Sequence, residues 1–131
     1  MYHYAKEYIS LNSQFSPEVR KDLPTESKTF PLVVIPECKI VLDNETLKYG
    51  EQKYRVIYDI EIYATDQTVG TKKISKRTII NELKKLIYDV FEEHYRILGG
   101  EPQVKPNADV NVSRLGIRFT GKFYNNIFYR R

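Results

Sequence analysis

The chain is poor in the residues that most metal and redox chemistry needs. Its 131 residues include one cysteine, Cys38, and two histidines, His3 and His94, far apart in sequence. A lone thiol excludes an internal disulfide and a cysteine-based zinc site, and Cys38 is read as an inert, small core residue. No apolar run approaches the roughly 20 residues needed to span a bilayer; FPLVVI is the longest attempt. The opening MYHYAKEYISLNSQF lacks the basic and apolar regions of a signal peptide, so synthesis in a cytoplasm without signal-directed export is expected. VGTKKIS has neither the leading glycine nor the spacing of a phosphate-binding loop. No Ser–His–Asp set has supporting context.

What is present is ordinary for a folded domain: 41% apolar and 29% charged residues. The length suits one domain over residues 1–131, with a modest core. The formal charge of +4 conceals a split. Residues 1–70 carry 8 Lys/Arg against 11 Asp/Glu, a net of −3, and residues 71–131 carry 13 against 6, a net of +7. A basic face of this kind serves nucleic acid or the acidic surface of a neighbouring copy, and composition leaves both open. Eleven tyrosines are the second excess. Tyr suits strands and also interfaces, where the ring is buried and the hydroxyl stays satisfied. The clusters at both ends (Tyr2, Tyr4, Tyr8; Tyr124, Phe128, Tyr129) give more adhesive surface than a small monomer needs.

Periodicity predicts an α+β fold. Residues 2–12 form a short N-terminal helix with Tyr4, Tyr8 and Leu11 on one stripe, and residues 13–29 form an irregular arm with two prolines. A body over residues 30–131 follows in the order β-β-α-β-β: a small antiparallel or mixed sheet of about four main strands, covered on one face by a long helix. FPLVVIPECKIV is the first strand, starting at Pro31 and made an edge or bulged strand by Pro36. After the polar loop Asp43–Gln52, KYRVIYDIEIY alternates with period two and pairs antiparallel with it. The helix begins around Lys72–Ser75; Ile79, Leu83, Leu86, Ile87, Val90, Phe91, His94 and Leu98 repeat at helical spacing, and Gly99-Gly100 supplies the stop. VNVSRLGIRFTGKFY is a strand with a bulge between Val112 and Leu115. Asn125-Asn126 is a two-residue hairpin turn and IFYRR the closing strand.

Four features invite a functional reading. Asp59 and Glu61 stand two apart on one strand and so project together, as paired carboxylates do in magnesium-dependent nucleases. Such a site wants a lysine two residues after the glutamate, where this chain has Tyr63. The wet face of a half-buried sheet accounts for the pair without chemistry. His94, on the apolar side of the helix, is read as a satisfied, partly buried histidine. Lys72, Lys73, Lys76 and Arg77 gather at the helix start, where cations oppose the helix dipole at a cost of a few tenths of a kcal/mol each; the charge serves a partner or is simply solvated. KFYNNIFYRR combines the residues that stack on bases and contact phosphates, and it also alternates as an edge strand guarded by Arg130 and Arg131.

The layout of TFPLVVIPE, a polar loop, YRVIYDIEIYATD, a long helix and then SRLGIRFTGKF through IFYRR resembles the tail terminator proteins. These are the tail completion, or tail-to-head joining, proteins of long-tailed phages and prophages of Gram-positive bacteria. The likeness spans about residues 18–131. It implies a small α+β fold that forms a homohexameric ring on the last ring of the tail tube, stopping polymerisation and meeting the head connector. The implied location is the virion, at the tail–neck junction, after synthesis in the bacterial host cytoplasm. The implied partners are further copies of the chain, the tail tube protein and the connector or adaptor proteins, with non-specific contact to DNA passing through the ring; no membrane, cofactor, metal or catalytic residue is called for. The chemistry of the exposed residues then nominates Lys72, Lys73, Lys76, Arg77, Tyr124, Phe128, Tyr129, Arg130 and Arg131 as interface, with Asp43–Gln52 as a further contact. A carboxylate-lined lumen, built from Asp59 and Glu61, is a corollary. A head-side neck or adaptor protein is the alternative, followed by a nucleic-acid-binding module.

Overall fold

The computed structural model describes residues 1–23, 29–43 and 51–126. Two strands organise the rest. β4 (Glu51–Ala64) and β9 (Ser113–Asn126), each 14 residues long, pair antiparallel from Glu51 opposite Asn126 to Ala64 opposite Ser113. Period-two alternation makes this ribbon two-faced. Ile60, Ile62 and Ala64 with Leu115, Ile117 and Phe119 are buried on the inner face, whereas Asp59, Glu61, Arg114 and Arg118 lie on the outer face.

Shorter strands flank the ribbon and complete a seven-stranded mixed sheet among the described residues. Beside β4 run β2 (Leu32–Val34) and β3 (Lys39–Asp43), both antiparallel to it. Pro36 falls in the gap between them. Val34 lies opposite Glu61 and Lys39 opposite Ile57, so five steps on one strand match four on the other. The extra residue is the bulge expected of the proline. β1 (Glu18–Arg20) adds parallel to β2 and brings order to an arm expected to be irregular. On the far side of β9 lie β7 (Leu98–Gly99) and β8 (Gln103–Lys105). A separate hairpin, β5 (Gln67–Val69) and β6 (Lys72–Ile74), turns at Gly70, whose φ of +65° suits glycine at the first position of a two-residue turn.

The helices cover the inner face. α1 (Tyr2–Asn12) buries Ala5 and Ile9, not the expected Tyr4–Tyr8–Leu11 stripe; Tyr4 and Leu11 are exposed. Ala5 and Ile9, four apart, meet the core cleanly, while Tyr4 stacks on His94 with ring centroids 4.1 Å apart. His94 is therefore exposed and ring-stacked, not a buried histidine. α2 (Lys76–Tyr88) buries Ile79, Leu83, Leu86 and Ile87, as its spacing predicts. Its end departs from expectation. The last turn, Asp89–His94, widens to π geometry, which keeps Val90 and Phe91 buried. Arg96, with φ of +59°, then reverses the chain, and the Ile97 N–H donates to the Phe91 carbonyl at 2.8 Å. The helix thus stops before Gly99-Gly100, and Gly99 lies in β7 because its missing Cβ makes room for the Tyr88 and Phe119 rings.

Two expectations at the C-terminal end also fall. β9 starts at Ser113, Val112 belongs to the preceding turn, and the register with β4 is unbroken, so there is no bulge between Val112 and Leu115. Asn125 and Asn126 lie opposite Gln52 and Glu51 as strand residues, not as a hairpin turn. The long partner β4 supplies ladder bonds that override their turn preference. IFYRR lies outside the described residues.

Candidate functional site

The outer face of the ribbon carries the expected acidic pair, but in company. Antiparallel register sets Asp59 directly opposite Arg118. Arg118 donates to both Asp59 oxygens, Nε at 2.8 Å and its second guanidinium nitrogen at 3.1 Å, and Lys39 Nζ comes within 3.8 Å. The bidentate fork holds the Asp59 carboxyl below the usual carboxylate range. One step along the same face, Arg114 Nε donates to Glu61, as does the Tyr63 hydroxyl at 3.1 Å, and the Arg114 guanidinium lies 5.6 Å from the Tyr63 ring centre. Burial pushes the Glu61 carboxyl up, but these donors outweigh it and leave the pKa lowered. Lys105, whose stem crosses the space left by Gly116, adds attraction to both carboxylates.

An opening of about 430 Å³ lies beside this ladder, lined by Asp59, Glu61, Glu101, Gln103, Lys105 and Arg118. A carboxylate locked to a guanidinium and held below its usual pKa is a poor general base near neutral pH. Among the described residues no group of three His, Cys, Asp or Glu side chains is placed to hold a metal ion. Asp59 and Glu61 are therefore held in structural ion pairs in this arrangement, and the face they share is not an acidic surface. Beyond them, Arg55 and Lys122 lie directly opposite each other, both exposed, and among the described residues neither is paired with a carboxylate. Like charges in register destabilise a strand pair, so this row of the outer face sets two cations against each other.

The four basic residues expected at one helix start are divided between two elements. Lys72 and Lys73 are exposed on β6, and Lys76 and Arg77 open α2. The dipole conflict is relieved locally: the Lys76 N–H donates to Asp66 Oδ1 at 2.8 Å, and Ser75 Oγ accepts from the Thr78 N–H at 3.3 Å. Lys76 Nζ contacts the Asn111 carbonyl at 3.4 Å, which leaves Lys72, Lys73 and Arg77 as the solvent-facing members. Cys38 is half-buried in the segment joining β2 to β3, not in the core. It neighbours Tyr58, whose hydroxyl is pushed up to about 12 by burial and by contact with the thiol. Tyr124 lies in β9 opposite Lys53. Phe128, Tyr129, Arg130, Arg131 and most of the Asp43–Gln52 loop lie outside the described residues.

Periodicity could not reveal that five of the exposed apolar residues lie at the margins of the sheet. Ile40 (67% exposed), Val41 and Leu42 (52%) lie on β3, at one margin of the sheet. Leu98 (74%) and Val104 (87%) lie on β7 and β8, at the opposite margin. The second margin is held firmly: Gly99 N–H donates to Glu92 at 2.8 Å, Gly100 N–H to the Arg118 carbonyl at 2.8 Å, and the Tyr88 hydroxyl to the Gly100 carbonyl at 2.6 Å. The available signal was an isolated valine in EPQVKPNAD, an unlikely place for a core residue. No protein-family model matches the chain, and no curated protein matches it.

Proposed function

We propose that the chain is a structural subunit of a phage neck. Its copies form a ring that caps the tail tube, ends tube polymerisation and joins the tail to the head connector; the ring is hexameric by the resemblance above, and no enzymatic step is assigned to it. The observation that carries this reading is that five of the eleven exposed large apolar side chains among the described residues, Ile40, Val41, Leu42, Leu98 and Val104, lie at two opposite margins of one sheet. A ring requires two different, complementary surfaces on each copy, because the contact is heterologous. Aliphatic residues that stay largely exposed in one copy are the kind of surface such contacts bury. The exposed cations Lys72, Lys73 and Arg77 and the tail residues Tyr124, Phe128, Tyr129, Arg130 and Arg131 are the proposed contacts to tube and connector.

A second element of the reading comes from Arg55 and Lys122. Two exposed cations facing the same way favour a polyanion, and DNA crossing the neck is the polyanion at hand. A head-side adaptor would use the same margins and the same two cations, so the two placements differ in phenotype. The deciding experiment is electron microscopy of lysates from a phage or prophage lacking this gene. Overlong tails of uneven length beside unattached heads are expected. Tails of normal length beside heads that leak DNA would move the protein to the head side, and intact particles would end the neck reading.

A further inference from the structure

The flank of α2 nearest β8 leaves a gap above the sheet. β8 alternates as a strand does, so Gln103 and Lys105 point to the outer face, where they line the opening beside Asp59 and Glu61, and Val104 points to the inner face. Val104 is nonetheless 87% exposed, because α2 packs over β4 and β9 rather than over β8. A groove of about 640 Å³ is left between the helix and the strand. Its floor is aliphatic, made by Ile80 of α2 and Leu115 of β9, and Pro102 and Val104 form one wall. The other wall is the stripe Arg77–Asn81–Lys84, whose spacing of four and then three residues sends all three side chains from one side of the helix. Lys76 and Arg114 also reach the groove.

The charges around this groove do not cancel. Arg114 is balanced by Glu61. Lys76 Nζ meets the neutral Asn111 carbonyl at 3.4 Å and keeps its charge uncompensated. Among the described residues, Arg77 and Lys84 take part in no ion pair. Against these three cations the lining sets one carboxylate, Glu101. We infer that the groove binds an acidic segment of a partner protein. An aliphatic side chain of that segment sits against Ile80, Val104 and Leu115, and carboxylates on either side of it meet Arg77 and Lys84. The two cations are seven residues apart on α2, about 10 Å along its axis, so the segment carries its carboxylates at a comparable separation. The aliphatic contact contributes affinity, and the cations at the edge contribute selectivity and the rate of encounter. Nucleic acid fits this site less well, because none of the lining residues is aromatic and Glu101 repels phosphate. The site is independent of the neck reading: it gives Arg77 a partner of stated chemistry whether or not that partner is a tube or connector protein.

The test uses the whole purified chain and, as probe, a fluorescein-labelled peptide with the core Glu-Glu-Leu-Glu-Glu, followed by fluorescence anisotropy. Exchanging the peptide's glutamates for glutamine should weaken binding about tenfold or more, and exchanging its leucine for serine should weaken it about tenfold. Both comparisons leave the chain unaltered. On the protein side, Arg77→Glu/Lys84→Glu should weaken binding about tenfold or more, and Val104→Asp should act in the same direction. NMR of the native chain should show the amide signals of Ile80, Val104 and Leu115 shifting as the peptide is added. Absence of binding up to about 1 mM peptide, or shifts confined to other parts of the chain, would overturn the inference. Equal affinity for the glutamine peptide would overturn it as well, since the cations would then recognise nothing. Single-stranded or duplex DNA that moves the same amides and displaces the peptide would overturn it in favour of a nucleic-acid groove.

Discussion

The two halves of the β4–β9 ribbon share one alternation and meet different fates. In the half from Tyr58 to Ala64, with Ser113 to Phe119 opposite, α1 and α2 cover the inner face, and Ile60, Ile62, Ala64 and Phe119 are fully buried. In the half from Glu51 to Ile57, the neighbour is β3, whose inner residues Ile40 and Leu42 stay exposed. The outer faces differ in the same sense. The first half sets Asp59 against Arg118 and Glu61 beside Arg114, whereas the second sets Arg55 against Lys122. One half is thus complete within the single chain in both burial and charge. Among the described residues, the other half has exposed aliphatic side chains on its inner face and two facing cations on its outer face.

Removing the heart of the covered half is expected to have the largest effect. Phe91 is fully buried and stacks on Phe119 with centroids 4.7 Å apart. Phe91→Ala should cost about 3–5 kcal/mol in denaturant unfolding, while Ile40→Ser in the open half should stay within about 0.5 kcal/mol. Comparable losses at both sites would erase the contrast. Gly99→Ala comes next, because a Cβ there meets Tyr88 Cε1 at 2.5 Å and Phe119 Cε1 at 2.7 Å. Overpacking of about 1–3 kcal/mol is expected, read as a lower melting temperature.

The ion pairs set a smaller effect with a defined pH sign. Asp59 and Glu61 have folded pKa values below their unfolded ones. Their stabilisation is complete above the ordinary carboxylate pKa of about 4 and is lost as pH falls through the lowered folded values. The native melting temperature should therefore drop more steeply below about pH 4 than that of Asp59→Asn/Glu61→Gln. At neutral pH, Glu61→Gln should cost about 1–2 kcal/mol, and Asp59→Asn less, since its pair is more exposed. Identical acid limbs would remove the ion-pair account. The smallest change runs the other way: Lys122→Glu places a carboxylate opposite Arg55 and should stabilise the chain by about 0.2–1 kcal/mol. The same change should weaken binding to duplex DNA and flatten its salt dependence; a stabilised variant with unchanged DNA affinity would separate the charge defect from the proposed polyanion.

Legibility in the sequence followed the strength of local signals. β4 and the helical stripe from Ile79 to Phe91 were readable because long periodic runs leave few alternatives. β1, β7 and β8 were not, since two or three residues carry no period and exist through their neighbours. Gly99-Gly100 looked like a helix stop, but burial of Ile97 required the reversal earlier, and Arg96 accepted the left-handed turn. The carboxylate pair was visible, as were Arg114 and Arg118 on the wet parity of their strand; what the sequence withheld was the register that joins them. The margins were hidden for the same reason, because only the strand order places β8 and β3 on opposite sides of the ribbon.

The most direct measurement adds the purified chain to assembling tail tube subunits and follows tube length by cryo-electron microscopy. The account predicts tubes that shorten as the chain is increased, each closed at one end by a single ring of its copies. Tubes of unchanged length without such a ring, at every ratio, would contradict it.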